Sequence, residues 1–322
     1  YMDVGWKLLD SRHGEFWLRR CGALLDVEPH GRERVIGMCH HIEDPTFDAT
    51  AYATNPRARI RPIHRPPRTP ADRVPHCHWT IEIDPANEPV SAAAHTGTVS
   101  ALALARIENA CVAESEPQGM TDYAGPFDPE FRLGRLSSAA LAAVAREFQA
   151  QVHLLSCSAE ITLVERLGRA RARELISAQW TATSWTAGLR LARVLDETAG
   201  GARAVAAVLC RLATLPPGFH RSAEFSGDRV HLALEPRSAD LLDPEHPGWL
   251  GLLARGETGG LEAAAQAAEP RARLTDFSTR SGRVEMEFSV LHGAAAAKAP
   301  PAAAFMPLST ATSFSFDLER AR

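Results

Sequence analysis

The 322-residue sequence contains no run approaching the roughly 20 consecutive apolar residues that a membrane-spanning helix requires. Its opening residues, Y-M-D-V-G-W-K-L-L-D, lack the charged-then-apolar layout of a secretory leader, so a cytoplasmic location is expected. Lysine occurs only at 7 and 298, and arginine supplies the rest of the 35 basic side chains, a bias shared with GC-rich bacterial genomes. Against 39 acidic residues this leaves a formal charge of -4, which gives no general attraction to nucleic acid or anionic lipid. Neither is expected as a partner. The six cysteines, at 21, 39, 77, 111, 157 and 210, form no C-x-x-C, so they read as reduced thiols and not as a disulfide framework or zinc ribbon. Also missing are G-x-S-x-G, H-E-x-x-H, G-x-G-x-x-G and G-x-x-x-x-G-K-[ST], which argues against common serine hydrolases, zincins, dinucleotide oxidoreductases and P-loop ATPases.

What is present is 45% hydrophobic residues over a length that suggests two cores. The pattern predicts an α+β protein in two halves. A His/Arg-rich, mainly β region spans 1–114, a connection 115–136, an α+β domain 137–292 and an Ala/Pro-rich tail 293–322.

The most informative stretch of the first half is P-H-C-H-W-T-I-E-I-D, Pro75 to Asp84. Side chains alternate along a strand, so His76, His78, Thr80, Glu82 and Asp84 share one face and Cys77, Trp79, Ile81 and Ile83 the other. Two imidazoles on alternate residues, with a carboxylate four residues on, are a spacing from which a strand offers a divalent metal three ligands. Arg34 to Ile42 reads as a second strand, with Cys39 and His41 on one face and His40 on the other. The expected metal ligands are therefore His76, His78 and either His41 or Glu82, with zinc or iron as the ion and His78 and Glu82 as catalytic groups. A solvated face of an antiparallel sheet is the competing reading.

Arg57 to Arg73 packs six arginines and four prolines into 17 residues. Proline at that density favours extended chain. Arg57, Arg59 and Arg61 alternate with Ala58, Ile60 and Pro62, which sets three guanidinium forks on one side. They suit an anionic substrate, or else they blunt an edge strand. No aromatics are interleaved for stacking nucleic-acid bases.

In the second half Leu141, Val144, Phe148, Val152 and Leu155 step by 3, 4, 4 and 3, the stripe of a helix packed on a core, with His153 off the stripe and expected at the surface. Two further helical stretches follow, carrying Trp180 and Trp185. Ser222 to Glu235 reads as a hairpin around S-G-D, and Arg271 to Leu291 as another turning at Ser281 and Gly282. Between them lies the alanine-rich helix G-G-L-E-A-A-A-Q-A-A.

The run from Val164 to Leu195, with Gly259 to Ala268 and R-V-E-M-E-F-S-V at Arg283 to Val290, resembles bacterial small-molecule sensory domains of the V4R type and, more distantly, aminothiazoline-carboxylate hydrolases. The resemblance covers about 139–291. It implies a ligand pocket beside Trp180 and Trp185. The cysteines that often bind zinc near the last hairpin of such domains are missing here, so no metal site is carried over. The function expected is an enzyme acting on a small carboxylated metabolite, with or without an aromatic ring, through a mononuclear His/carboxylate metal site: a hydrolase or lyase with zinc, an oxygenase with iron. A non-catalytic small-molecule-binding module and a metal-free His/Glu acid–base enzyme are the alternatives. The expected partners are a small anionic molecule and, optionally, a second copy of the chain.

Overall fold

The computed structural model describes residues 2–108, 118–122, 128, 131–215, 217–280 and 282–303. Much of the expected 115–136 connection, Cys111, Ser281 and the tail from 304 lie outside the described residues. The protein is α+β, with two four-stranded antiparallel sheets among the described residues. It divides into two compact units, Tyr1–Thr96 and Gly97–Ala304, so residues 97–108, expected with the first half, fall in the second. Among the described residues no helix is long and apolar enough to cross a membrane.

The first unit opens with a hairpin of β1 (Met2–Leu8) and β2 (His13–Cys21). The Asp10 carboxylate holds its turn by accepting from the backbone N–H groups of Arg12 and His13. At Cys21 the chain turns directly into α1 (Gly22–Val27), whose first turn is capped by Cys21 Sγ accepting from the Leu24 N–H at 3.4 Å. After a 3-10 turn, α2 (Arg32–Ile36), a π-helical turn at Gly37–Ile42 and α3 (Glu43–Thr54) form one helical run. Two strands complete the unit: β3 (Ala58–His64) and β4 (Cys77–Ile83).

The strand expected over Arg34–Ile42 is therefore helical. Val35 and Ile36 carry β propensity, but the buried residues are Val35 and Cys39, four apart, so packing on one helix face overrides the local preference. The sheet order is β1-β2-β4-β3. One face packs Leu18, Ile60, Cys77 and Trp79 against Leu24, Val35 and Cys39 of the helices. Trp79, 1% exposed, meets Phe47 edge-on at 4.5 Å and stacks with Phe16 at 6.2 Å. Removing a ring buried to this degree costs about 3–5 kcal/mol.

A one-turn helix, α4 (Thr96–Ser100), stands where the units divide. The second unit then builds a long hairpin from α5 (Ser138–Leu167) and α6 (Arg169–Val194), broken at Gly168, whose φ of 79° ends the first helix. The remaining elements in order are α7 (Gly201–Arg211), β5 (Phe219–Ser226), β6 (Arg229–Pro236), α8 (Trp249–Ala254), α9 (Gly259–Ala268), β7 (Ala272–Arg280) and β8 (Arg283–Val290). Both hairpins stand where the turn residues placed them, in a sheet ordered β5-β6-β8-β7. The alanines of α9 are buried because α6 comes very close: a Cβ on Gly188 would sit 2.8 Å from the Ala264 carbonyl oxygen.

The apolar stripe of α5 does not pack inward. Leu141, Phe148, Val152 and Leu155 are 37%, 59%, 39% and 69% exposed, whereas Ala150, His153, Ser156, Cys157 and Glu160 are buried. Backbone explains the reversal: the loop before α8 lies against the helix, the Cys157 thiol donates to the Pro247 carbonyl at 3.1 Å, and Glu160 accepts the Gly248 N–H. Small and polar side chains permit that approach. His153, expected at the surface, is 2% exposed with its ring 4.9 Å from Trp249.

Burial, reinforced by the charges of His246 and Arg221, pushes His153 down to about 3. The unfolded chain protonates near 6.5 and the folded chain does not, so the stabilisation is complete above about 6.5 and is lost as pH falls toward 3. The expected loss at pH 5 is roughly 2 kcal/mol, at about 1.4 kcal/mol per unit. Urea midpoints of the parent and His153→Gln at pH 7 and pH 5 measure it; the variant should show the smaller pH dependence whatever its absolute stability.

Candidate acid–base site on the open sheet face

Because Cys77 and Trp79 face the helices, alternation turns His78 and Thr80 to the other side of the first sheet. The strand register arranges that face as rungs. One runs Gly5, Trp17, His78, His64 across all four strands; the next runs Lys7, Glu15, Thr80, Arg61; a third joins His13, Glu82 and Arg59. The first is aromatic and the others are polar.

At the centre, His78 Nε2 lies 2.9 Å from Glu15 Oε2, a diagonal contact between neighbouring rungs, with the two side chains 24% and 28% exposed. An ionised Glu15 accepts from Nε2–H and so leaves the lone pair on Nδ1. The Trp17 ring stands edge-on to His78 at 5.6 Å, and the His64 ring does so from the other side at 6.1 Å. Trp17 lies across β1 because residue 5 is glycine: a Cβ there would come within 2.3 Å of the indole nitrogen. Burial, followed by the charges of Arg73 and His78, lowers the pKa of His64. The assembly is a carboxylate-oriented imidazole between an indole wall and a second imidazole. Such a pair can take or give a proton.

Apart from His78, the expected ligands and catalytic groups are not gathered there. His76 precedes β4, is buried, and its Nδ1 accepts the Cys21 N–H at 3.1 Å; burial lowers its pKa, with the Arg68 charge adding to this. His41 is exposed on the π-helical turn, where its neighbour His40 donates from Nε2 to the Pro66 carbonyl at 2.7 Å. Glu82 is exposed on the third rung, four residues along β4 from His78, a rise of about 13 Å. Among the described residues no group of three or more His, Cys, Asp or Glu side chains is placed to hold a metal ion.

The arginines stand on edge strand β3 and its approach. Arg57 donates through Nη1 to the carbonyls of Pro85 and Asn87, and Arg59 to those of Ala58 and Glu88. Arg61, 58% exposed, donates to the Ile60 carbonyl at 2.7 Å and has Asp48 at 3.5 Å. Arg68 makes a two-point contact with Glu28, both bonds 2.8 Å, and Arg65 pairs with Asp44 while lying over the Trp79 ring. Most of the forks in this stretch therefore lace loops and helices to the sheet.

Trp180 and Trp185 lie in the second unit's interior, 1% and 9% exposed, with the Trp180 ring pressed against Gly260. A cleft of about 480 Å³ in that unit is walled instead by Arg106, Ile107, Glu108, Arg237, Asp240 and neighbours.

Two residues of the face, Glu15 and Trp17, escaped the sequence reading, whereas His64 belongs to the run of histidines at 40, 41, 64, 76 and 78 whose clustering suits a metal or acid–base site. The alternation E-F-W-L-R from Glu15 to Arg19 was the available signal, but only strand register shows that it meets His78. Compared with known protein families, curated proteins and solved structures, the chain matches none.

The lacing role is testable at Arg57, where lysine keeps the charge and loses the fork. Arg57→Lys should lower the unfolding free energy by about 1–2 kcal/mol through the lost carbonyl contacts, while leaving the affinity for small carboxylates unchanged. Denaturant midpoints and ligand titration on the same samples check both.

Proposed function

We propose that the first unit is a general acid–base catalyst in which His78 moves the proton, Glu15 orients it, and the substrate is a small carboxylated metabolite with a planar apolar part. The 2.9 Å contact between His78 and Glu15 on a partly exposed face carries the reading. Trp17 supplies a flat surface for the apolar part, and the outer members of the Glu15 rung, Lys7 and Arg61, supply positive charge at either end for a carboxylate. His64, its pKa lowered by burial, gives the site a neutral second imidazole.

A zinc or iron centre built from His41, His76, His78 and Glu82 has less support, since the structure turns those side chains to different partners and positions. The favoured scheme takes its proton-transfer groups, His78 and Glu15, from side chains already in mutual contact. Acid–base participation of this kind contributes typically 10²–10⁴-fold to a rate.

The test incubates the full chain with a panel of aromatic and aliphatic carboxylic acids in deuterated water, reading solvent-deuterium incorporation and product by mass spectrometry. Turnover should fall by about 10²-fold or more in His78→Asn, fall less in Glu15→Gln, and survive chelation. Activity that persists in His78→Asn refutes the assignment. Activity abolished by chelator and restored by zinc or iron returns the metal reading, and thermal stabilisation without turnover returns the binding module.

A further inference from the structure

The outward stripe of α5 has a property that packing on its own core would not require. Its residues are Leu141, Val144, Phe148, Val152 and Leu155, and both the spacing, 3-4-4-3, and the side chains, Leu-Val-Phe-Val-Leu, read the same in either direction. All five belong to one unbroken 30-residue helix, and four of them are exposed, with Val144 half-buried. We infer that this face is a self-association surface on which two copies of the chain pair antiparallel, about a two-fold axis passing through Phe148.

A two-fold axis makes each patch meet itself, so residue i meets j and j meets i. Laid antiparallel about Phe148, the helix sets Leu141 on Leu155 of the second copy, Val144 on Val152, and Phe148 on its own equivalent. The ridge spacing is that of helices crossing at about 20°, and two phenyl rings at the axis can stack offset. The surroundings fit: Ala145 and Gln151, which flank the stripe, are exposed and uncharged, and the only fully charged side chains between 141 and 155, Arg146 and Glu147, lie about 160° and about 100° round the helix from Phe148. Depletion of charge at the centre marks interface cores. A different partner would need a complementary stripe but would place no demand on this one to be symmetric.

The exposed apolar side chains and their small neighbours offer on the order of 500 Å² per copy, less than the ~800 Å² per partner of a standard interface, so the pair should form in the micromolar range. Sedimentation velocity on the full chain from low to high micromolar concentration tests this. The parent should move from monomer to dimer. Phe148→Glu sets two carboxylates together at the axis and should weaken association at least tenfold; Phe148→Lys should do the same, and mixing the two variants should restore dimer. Because Phe148 is exposed, melting temperatures should stay near the parent's. A parent that remains monomeric throughout, or one whose association Phe148→Glu leaves intact, overturns the inference. So does a parent dimer whose charge variants fail to pair with each other, since that would remove the axis from residue 148.

Discussion

Burial of Trp79 sets everything else in the first unit. Its indole sits between Phe16 and Phe47 under the helical run, at a position on β4 where alternation leaves its neighbours no choice of side. With Trp79 and Cys77 inward, His78 must emerge on the far face, and the antiparallel register then delivers Glu15 and Trp17 from β2 beside it. A one-residue slip would exchange the faces, placing an imidazole under the helices and an indole in water. The hydrophobic term that fixes the register is thus also the term that assembles the polar pair.

The second unit follows a different rule, close approach of backbones. Gly188 on Ala264, Gly260 under Trp180 and the 246–249 loop against α5 all require small or polar side chains at the contact. Once the inner side of α5 is given over to hydrogen bonds with that loop, its aliphatic residues have only the outside left. An amphipathic helix packs by its apolar face when the neighbour is a set of side chains. Here the neighbour is largely peptide backbone, which must be hydrogen-bonded.

Elements set by short-range chemistry were legible in the sequence. Both hairpins of the second sheet stand where turn residues interrupt alternating runs, and Cys77 to Ile83 forms the strand that its alternation predicts. Arg57, Arg59 and Arg61 do approach or occupy an extended edge, but the partners of Arg57 and Arg59 at 85–88, and that of Arg61 at Asp48, could not be read from spacing. Long-range facts were hidden for the same reason. Glu15 lies 63 residues from His78, and nothing along the chain announces the pairing. The segment 34–42 misled because β-branched residues favour strands only when a sheet is there to receive them, whereas here Val35 and Cys39 were buried as a helix face. His76 and His78 share a parity in sequence, yet His76 precedes the regular strand, and its ring turns to the end of β2.

The scarcity of lysine gives the candidate site an unplanned handle. Lys7 is one of only two lysines, and it stands directly across β1 and β2 from Glu15, exposed, on the rung next to His78. An amine-selective reagent therefore has, besides any terminal amine, only Lys7 and Lys298 to find. The rate at which Lys7 is labelled becomes a local reporter of whether that sheet face is covered, and Lys298 serves as its internal reference in the same digest.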